Sequence, residues 1–361
     1  MALLLAATPF LIAGAWRGTQ MIPNEVYGEG PAPACPPFQG NFSINQFQLY
    51  PENADFDRST CLLYVSNLYN GTLGVFDPYK DALVEVVEFP GISYTPGTHI
   101  SGIDVNKRTG LISILANAGA AFEKQPPGSD VSGDNTVMLY NPKSKEVIYR
   151  ANLTETTHGQ YGGFADLEQD PFGNVYVNGK FPGSILKVDK FDGSAPPKVS
   201  EWFRSQSRET CTPGFGGMAA NEWTLLTHDN SNGQLLKFDL RAPKGTPVVI
   251  PVTPECAFKD STASYLPPKY KGTVLLIAGG PGVRVLRSKD GNWDAAEYLG
   301  TVEKCLFGVP ENHLATATVQ VGDGLNLVVL PKGDELVPGT LAGNRTEFPF
   351  YDITDHVEAL L

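Results

Sequence analysis

The chain has 361 residues, 42% of them hydrophobic and 18% charged, with 38 Gly and 29 Pro, which suits one large turn-rich all-β domain better than two ordinary domains. Its net charge of -12 argues against sequence-independent phosphate contacts, because those need a basic face, and so sets nucleic acid aside as a partner.

Residues 1–15 open the chain with an apolar run too short to span a bilayer, closing on the small residues Ala13, Gly14 and Ala15. This predicts a signal peptide, no membrane span, and a location outside the cell or in the secretory lumen. The missing Lys or Arg before the run leaves a buried N-terminal strand as the alternative. Sequons at Asn41, Asn70, Asn152 and Asn344 agree with glycosylation and secretion, although chance alone supplies some of them.

From about residue 35 to residue 361 the chain reads as a single domain built on a repeated unit. A first strand, a turn and a second strand recur at intervals of roughly fifty residues, a period typical of propeller repeats. The copies are Asn45–Leu49 with Cys61–Val65, Ser101–Asn106 with Leu111–Leu115, and Gly162–Leu167 with Asn174–Asn178. Gly216–Asn221 with Trp223–Thr227, Thr262–Leu266 with Thr273–Ile277, and Ala315–Val319 with Leu325–Val329 complete the set. A third strand, a turn residue followed by apolar alternation and a closing carboxylate or amide, is legible at Gly71–Asp77, Asn135–Asn141, Gly183–Asp189 and Gly233–Asp239. One such unit cannot bury both faces alone and must stack on neighbours in a closed ring. The expected fold is therefore all-β, a six-bladed β-propeller of four-stranded antiparallel blades around a central channel.

Aligning the copies places Cys211 and Cys256 before neighbouring blades 4 and 5, and Cys35 and Cys305 before blades 1 and 6, which ring closure makes adjacent. The expected disulfides are Cys211–Cys256 and Cys35–Cys305, with Cys61 free in a core strand, against the alternative of five reduced and buried thiols.

In a propeller the connections into each innermost strand converge on one mouth of the channel, where ligands usually bind. Residues expected there are His99, His158 with Tyr161, His313, and His228 at the end of a second strand. Histidine is readily used as acid or base near neutral pH, and although a lone loop histidine is more often a satisfied structural group, four of the five share this rim. His158, Tyr161 and His228 are the candidate catalytic groups. Tyr69, Asn117, Asn178 and Lys180 close second strands as candidate substrate contacts, and Phe215 and Phe258, with Phe181 and Trp223, are candidate apolar walls, each more readily read as core. No Cys-x-x-Cys pair, His-Glu-x-x-His helix, calcium loop, dinucleotide glycine loop or serine elbow appears, so neither a metal nor an organic cofactor is expected.

The segment following Cys35, the His99–Asp104 motif, and Gly162–Asp166 with Asp170–Asn178 resemble a fungal group of secreted six-bladed propellers within the wider SMP-30-like class. That group takes in the Malassezia allergen Mala s 1 and a protein of trichothecene clusters. The resemblance implies a hetero-Diels–Alderase that joins a tropolone o-quinone methide to a humulene-type sesquiterpene, with small apolar polyketide–terpenoid molecules as partners. The second reading it implies is a non-catalytic lipid-binding propeller, like the allergen. A third implied reading, a metal-dependent lactonase, requires a Glu opening the first inner strand. The expected strand opens instead near Gln46, with Glu52 only at the following turn.

Overall fold

The computed structural model describes residues 35–207 and 209–361. The signal peptide expected over 1–15 lies outside the described residues. Six antiparallel sheets follow one another along the chain. Blade 1 is Pro51–Asp57, Leu62–Asn67, Thr72–Asp77 and Ala82–Glu88; blade 2 is Thr98–Val105, Ile112–Ala118, Thr136–Asn141 and Glu146–Asn152. Blade 3 is Gly162–Gln169, Val175–Phe181, Ser184–Val188 and Val199–Arg204; blade 4 is Phe215–Asn221, Thr224–Asp229, Gln234–Asp239 and Val248–Ile250. Blade 5 is Ser261–Tyr265, Val274–Gly279, Gly282–Arg287 and Ala296–Glu303, with Val252–Thr253 added in parallel at its outer edge. Blade 6 is Leu314–Val321, Gly324–Leu330 and Glu347–Asp352, completed by Phe42–Asn45 from the other end of the chain. The inner strands of successive blades touch around the ring, and that of blade 6 touches that of blade 1, so the six-bladed propeller is closed.

Two expectations are corrected here. The first inner strand is Pro51–Asp57, not Asn45–Leu49, and Phe42–Asn45 is the outermost strand of blade 6. Between the two, Gln48 and Tyr50 adopt left-handed backbone conformations that turn the chain into the ring (φ 58° and 43°). The true inner strand carries little apolar signal because its alternate positions Asn53 and Asp55 line the channel, while Ala54 and Phe56 enter the core.

The second correction concerns cysteine. Cys35 is bonded to Cys61, while Cys211, Cys256 and Cys305 are free. The reason is strand direction: inner strands run from the mouth to the far end, so Cys61, in the turn after one of them, lies at the far end. Cys35 leads into the fourth strand of blade 6, which also starts there. Cys305 follows a fourth strand and sits at the mouth, so Cys35 and Cys305 belong to opposite faces.

The strand-ending carboxylates and amides make the ring's turns. Asp77 accepts hydrogen bonds from the Tyr79 and Lys80 amides, Asn141 from Lys143, and Asp239 from Arg241. Near the axis the inner strands crowd together: a Cβ on Gly102 would lie 2.7 Å from Asp166 Cα, so only glycine fits. Side chains then link one inner strand to the next. Asp55 accepts from the Val105 amide (2.8 Å), Asp104 from Gln169 (3.1 Å), Asp166 from Met218 (2.9 Å), and the Tyr265 hydroxyl from Gln320 (3.1 Å). Among the described residues no helix is long and apolar enough to cross a membrane.

Candidate active site

The channel mouth holds a cavity of about 350 Å³, within the range usual for small-molecule sites. Blade 1 contributes Glu52 from the start of its inner strand and Leu68 and Tyr69 from the loop after its second strand. Blade 2 supplies His99, Ser101 and Asn117, and its long loop folds into a helical turn, Ala120–Glu123, that presents Phe122 and Glu123. Lys180 comes from the second strand of blade 3, and blade 6 adds Leu314, Leu330 and Lys332. The lining thus mixes apolar side chains, Leu68, Phe122, Leu314 and Leu330, with polar groups drawn chiefly from the first three blades.

His99 is buried against Gly119, where a Cβ would approach its ring to 2.5 Å. Its Nε2 lies 2.9 Å from Glu123 Oε1, and that contact holds the Glu123 carboxyl below its ordinary range. Tyr69 meets the His99 ring edge-on at 5.6 Å, and burial pushes its hydroxyl up to about 12, leaving a neutral donor. Asn117 Oδ1 accepts a hydrogen bond from Ser101 (3.0 Å).

Deeper in the cavity, Glu52 Oε2 is buried with no hydrogen-bond partner. Burial, reinforced by the nearby Asp166 charge, pushes the Glu52 carboxyl up to about 8, so it is a carboxylic acid at neutral pH. Lys180 shares this space. Burial lowers its proton affinity, against the Glu52 charge and with the Lys332 charge.

Of the residues expected at the mouth, Tyr69, His99, Asn117 and Lys180 line the cavity together. The others stand elsewhere. His158 is exposed in a left-handed conformation (φ 51°) after the turn Thr154–Thr157, on the outer part of the rim. The Tyr161 hydroxyl donates to Glu201 (2.8 Å) in a separate cleft, with Arg204 over its ring. His228 is fully buried in blade 4, bonded to Ser264 (3.1 Å), and burial pushes it down to about 3 with the Lys180 charge contributing. Asn178 is also buried: its Oδ1 accepts from the Asp166 amide (2.7 Å) and its Nδ2 donates to the Gly216 carbonyl. Phe215 and Phe258 are core side chains, and His313 lies off the cavity, its carbonyl accepting from Lys304 (2.6 Å). The strand-to-cavity geometry separates them: a residue just before an inner strand can point outward over the blade, and one at a strand end can face the blade interior.

Glu52, Phe122, Glu123 and Lys332 were not anticipated from sequence. Glu52 was hidden by the misplaced first strand, and no local signal marks the other three. With Glu52 opening the inner strand, the carboxylate that a lactonase requires is present. The rest of such a site is not: Asn178 is consumed inside its blade, the side chain nearest in kind to a third ligand is the Lys180 amine rather than a carboxylate or amide, and among the described residues no three His, Cys, Asp or Glu side chains converge as metal ligands. These residues do not fit a divalent ion.

Fold and cavity together define a six-bladed propeller with a ligand-sized, partly apolar site at the channel mouth. Across 349 residues the chain is 36% identical to trichothecene biosynthesis protein 14 of Trichoderma arundinaceum, covering 91% of this chain and 92% of that one. Against core trichothecene cluster protein 14 of Fusarium sporotrichioides the identity is 32%, covering 91% and 88%. The chain therefore belongs to the trichothecene biosynthesis protein 14 family, whose named members are proteins of secondary metabolism. The major Malassezia sympodialis allergen Mala s 1 has the same fold (TM-score 0.72, 21% identity, covering 87% of this chain and 96% of that one). A Xanthomonas campestris gluconolactonase is a more distant fold match (TM-score 0.51, 12% identity, covering 90% and 99%). No protein-family model matches the chain.

Proposed function

We propose that this protein is a pericyclase of fungal secondary metabolism, a hetero-Diels–Alderase that joins a tropolone o-quinone methide to a humulene-type sesquiterpene at the channel mouth. The observation that carries this reading is the mixed lining of the cavity: Leu68, Leu314, Leu330 and Phe122 share it with Lys180, Asn117 and the His99–Glu123 pair. Holding two apolar reactants in one orientation lowers the entropic cost of their encounter, which is the main demand of a cycloaddition. Lys180 and Asn117 are placed to polarise the dienone oxygen as charge develops on it. Generating a quinone methide by dehydration calls for an acid and a base, and Glu52, protonated at neutral pH, and the His99–Glu123 pair supply them. The family's place among biosynthesis proteins supports action on a natural product.

A purely binding propeller would share the apolar lining. It has no use for a buried carboxylic acid without a partner, and that favours catalysis. Incubation with a quinone-methide precursor and a humulene alcohol tests the reading. The expected result is a product ratio or stereochemistry different from the uncatalysed reaction, and products identical to the control reject it.

A further inference from the structure

We propose that Lys180 is a nucleophilic lysine that condenses with the carbonyl group of an apolar aldehyde or ketone seated in the channel mouth, with Glu52 carrying the protons. Three placements support this assignment. Lys180 lines the open cavity at the channel mouth, and among the described residues its ammonium has neither a hydrogen-bond partner nor a carboxylate within 4.0 Å. A buried structural lysine is normally paired, as Lys304 is here, its Nζ donating to the Glu311 and His313 carbonyls at 2.9 and 2.6 Å, whereas the half-buried Lys180 makes no such contact. Glu52 lines the same cavity, its Oε2 has no hydrogen-bond partner, and its carboxyl lies more than 4.0 Å from the Lys180 ammonium nitrogen. Leu314, Leu330 and Phe122 then receive the apolar body of the ligand.

The protonation states agree with this geometry. Burial favours the free amine of Lys180 and outweighs the opposing Glu52 charge, with the Lys332 charge adding to the effect of burial; desolvation and a neighbouring cation are the two means by which imine-forming lysines are activated. Burial keeps Glu52 in its acid form. In the reaction the Lys180 amine adds to the carbonyl carbon and a proton passes from nitrogen to oxygen, giving a carbinolamine. Glu52 then protonates the hydroxyl, which leaves as water while the nitrogen lone pair forms the C=N bond. The products are a protonated imine on Lys180, a Glu52 carboxylate beside it, and one water; no oxidant or reductant enters.

The inference requires the cavity but not the cycloaddition, so the two can fail separately. The test is incubation of the purified protein at pH 7 with cinnamaldehyde and cyanoborohydride, followed by peptide mass mapping of every lysine. Lys180 is expected to be reductively alkylated at least about ten-fold faster than exposed Lys143 and Lys190, with Glu52→Gln slowing Lys180 by a similar factor and leaving Lys143 unchanged. Modification of Lys180 in the wild-type protein no faster than of Lys143 overturns the proposal whatever the variant does. An unchanged Lys180 rate in a folded Glu52→Gln variant overturns the role of Glu52.

Discussion

The two halves of the channel use the same residue type in opposite ways. In the far half, Asp55, Asp104 and Asp166 each accept a hydrogen bond from the backbone of the following blade, and these carboxylates hold the ring together. At the mouth, Glu52 lines the cavity and its buried Oε2 has no partner. The free space follows the same division, about 40 Å³ among the far carboxylates against about 350 Å³ at the mouth. Buried carboxylates with raised proton affinity occur in both halves, so the perturbation alone does not mark function. The difference lies in whether the oxygens already have partners.

The largest effect that would sharpen this contrast is at Asp166. Its Oδ1 accepts from the Leu167 amide and Asn53, and its Oδ2 from the Met218 amide. Replacing Asp166 with Ala removes acceptors from two buried amides, so a loss of about 4 kcal/mol is expected in denaturant or thermal unfolding. A loss below about 1 kcal/mol, the level of an ordinary substitution, would place Asp166 outside the ring's framework.

A smaller effect comes from pH. Burial raises Asp166 to about 7 and Glu52 to about 8, and raises the neighbouring Asp55 and Asp104 as well. A carboxyl raised in the folded state stabilises the fold fully at low pH and loses that contribution as pH rises through the folded value. His228 works the other way: pushed down to about 3, its contribution is complete above the ordinary histidine value and is lost only as pH falls. Above about pH 6.5 the carboxyls alone are therefore changing, and stability should fall by about 2 kcal/mol between about pH 6.5 and pH 8.5. Glu52→Gln should remove the upper part of that slope in a series of thermal melts. A flat profile from the wild-type protein would mean that these groups are ionised in the fold.

The smallest effect is expected at His158. The side chain is exposed and off the cavity, so His158→Ala should change stability by less than about 0.5 kcal/mol. It should also leave ligand binding at the mouth unchanged in a fluorescence titration. Weakened binding would extend the functional surface outward along the rim.

The ring was legible because its signals are local. Apolar alternation in the second and third strands and turn-making residues such as Asp77 and Asp239 recur with a regular period, and each reports on a few neighbouring residues. The first inner strand was missed because Asn53 and Asp55 face the channel and break the pattern that marks a half-buried strand. The disulfide was missed for a different reason. Pairing depends on which end of the ring a cysteine reaches, and one misplaced strand put Cys35 at the wrong end.

The site was legible only in part. Tyr69, His99, Asn117 and Lys180 were placed by position in the repeat, and they do share the cavity. His158, Tyr161 and His228 held equivalent sequence positions but turned outward, into another cleft, or into a blade.

The sequence by itself determined the repeat, the blade count and the turn chemistry, because those depend on residues within a few positions of one another. Only the tertiary structure decided which strand closed the ring, which cysteines met, and that Glu52 and Lys180, 128 positions apart, line one cavity. Closing six blades around an axis brings their ends together, and the direction in which each side chain then points is set by contacts across blades that no local pattern encodes.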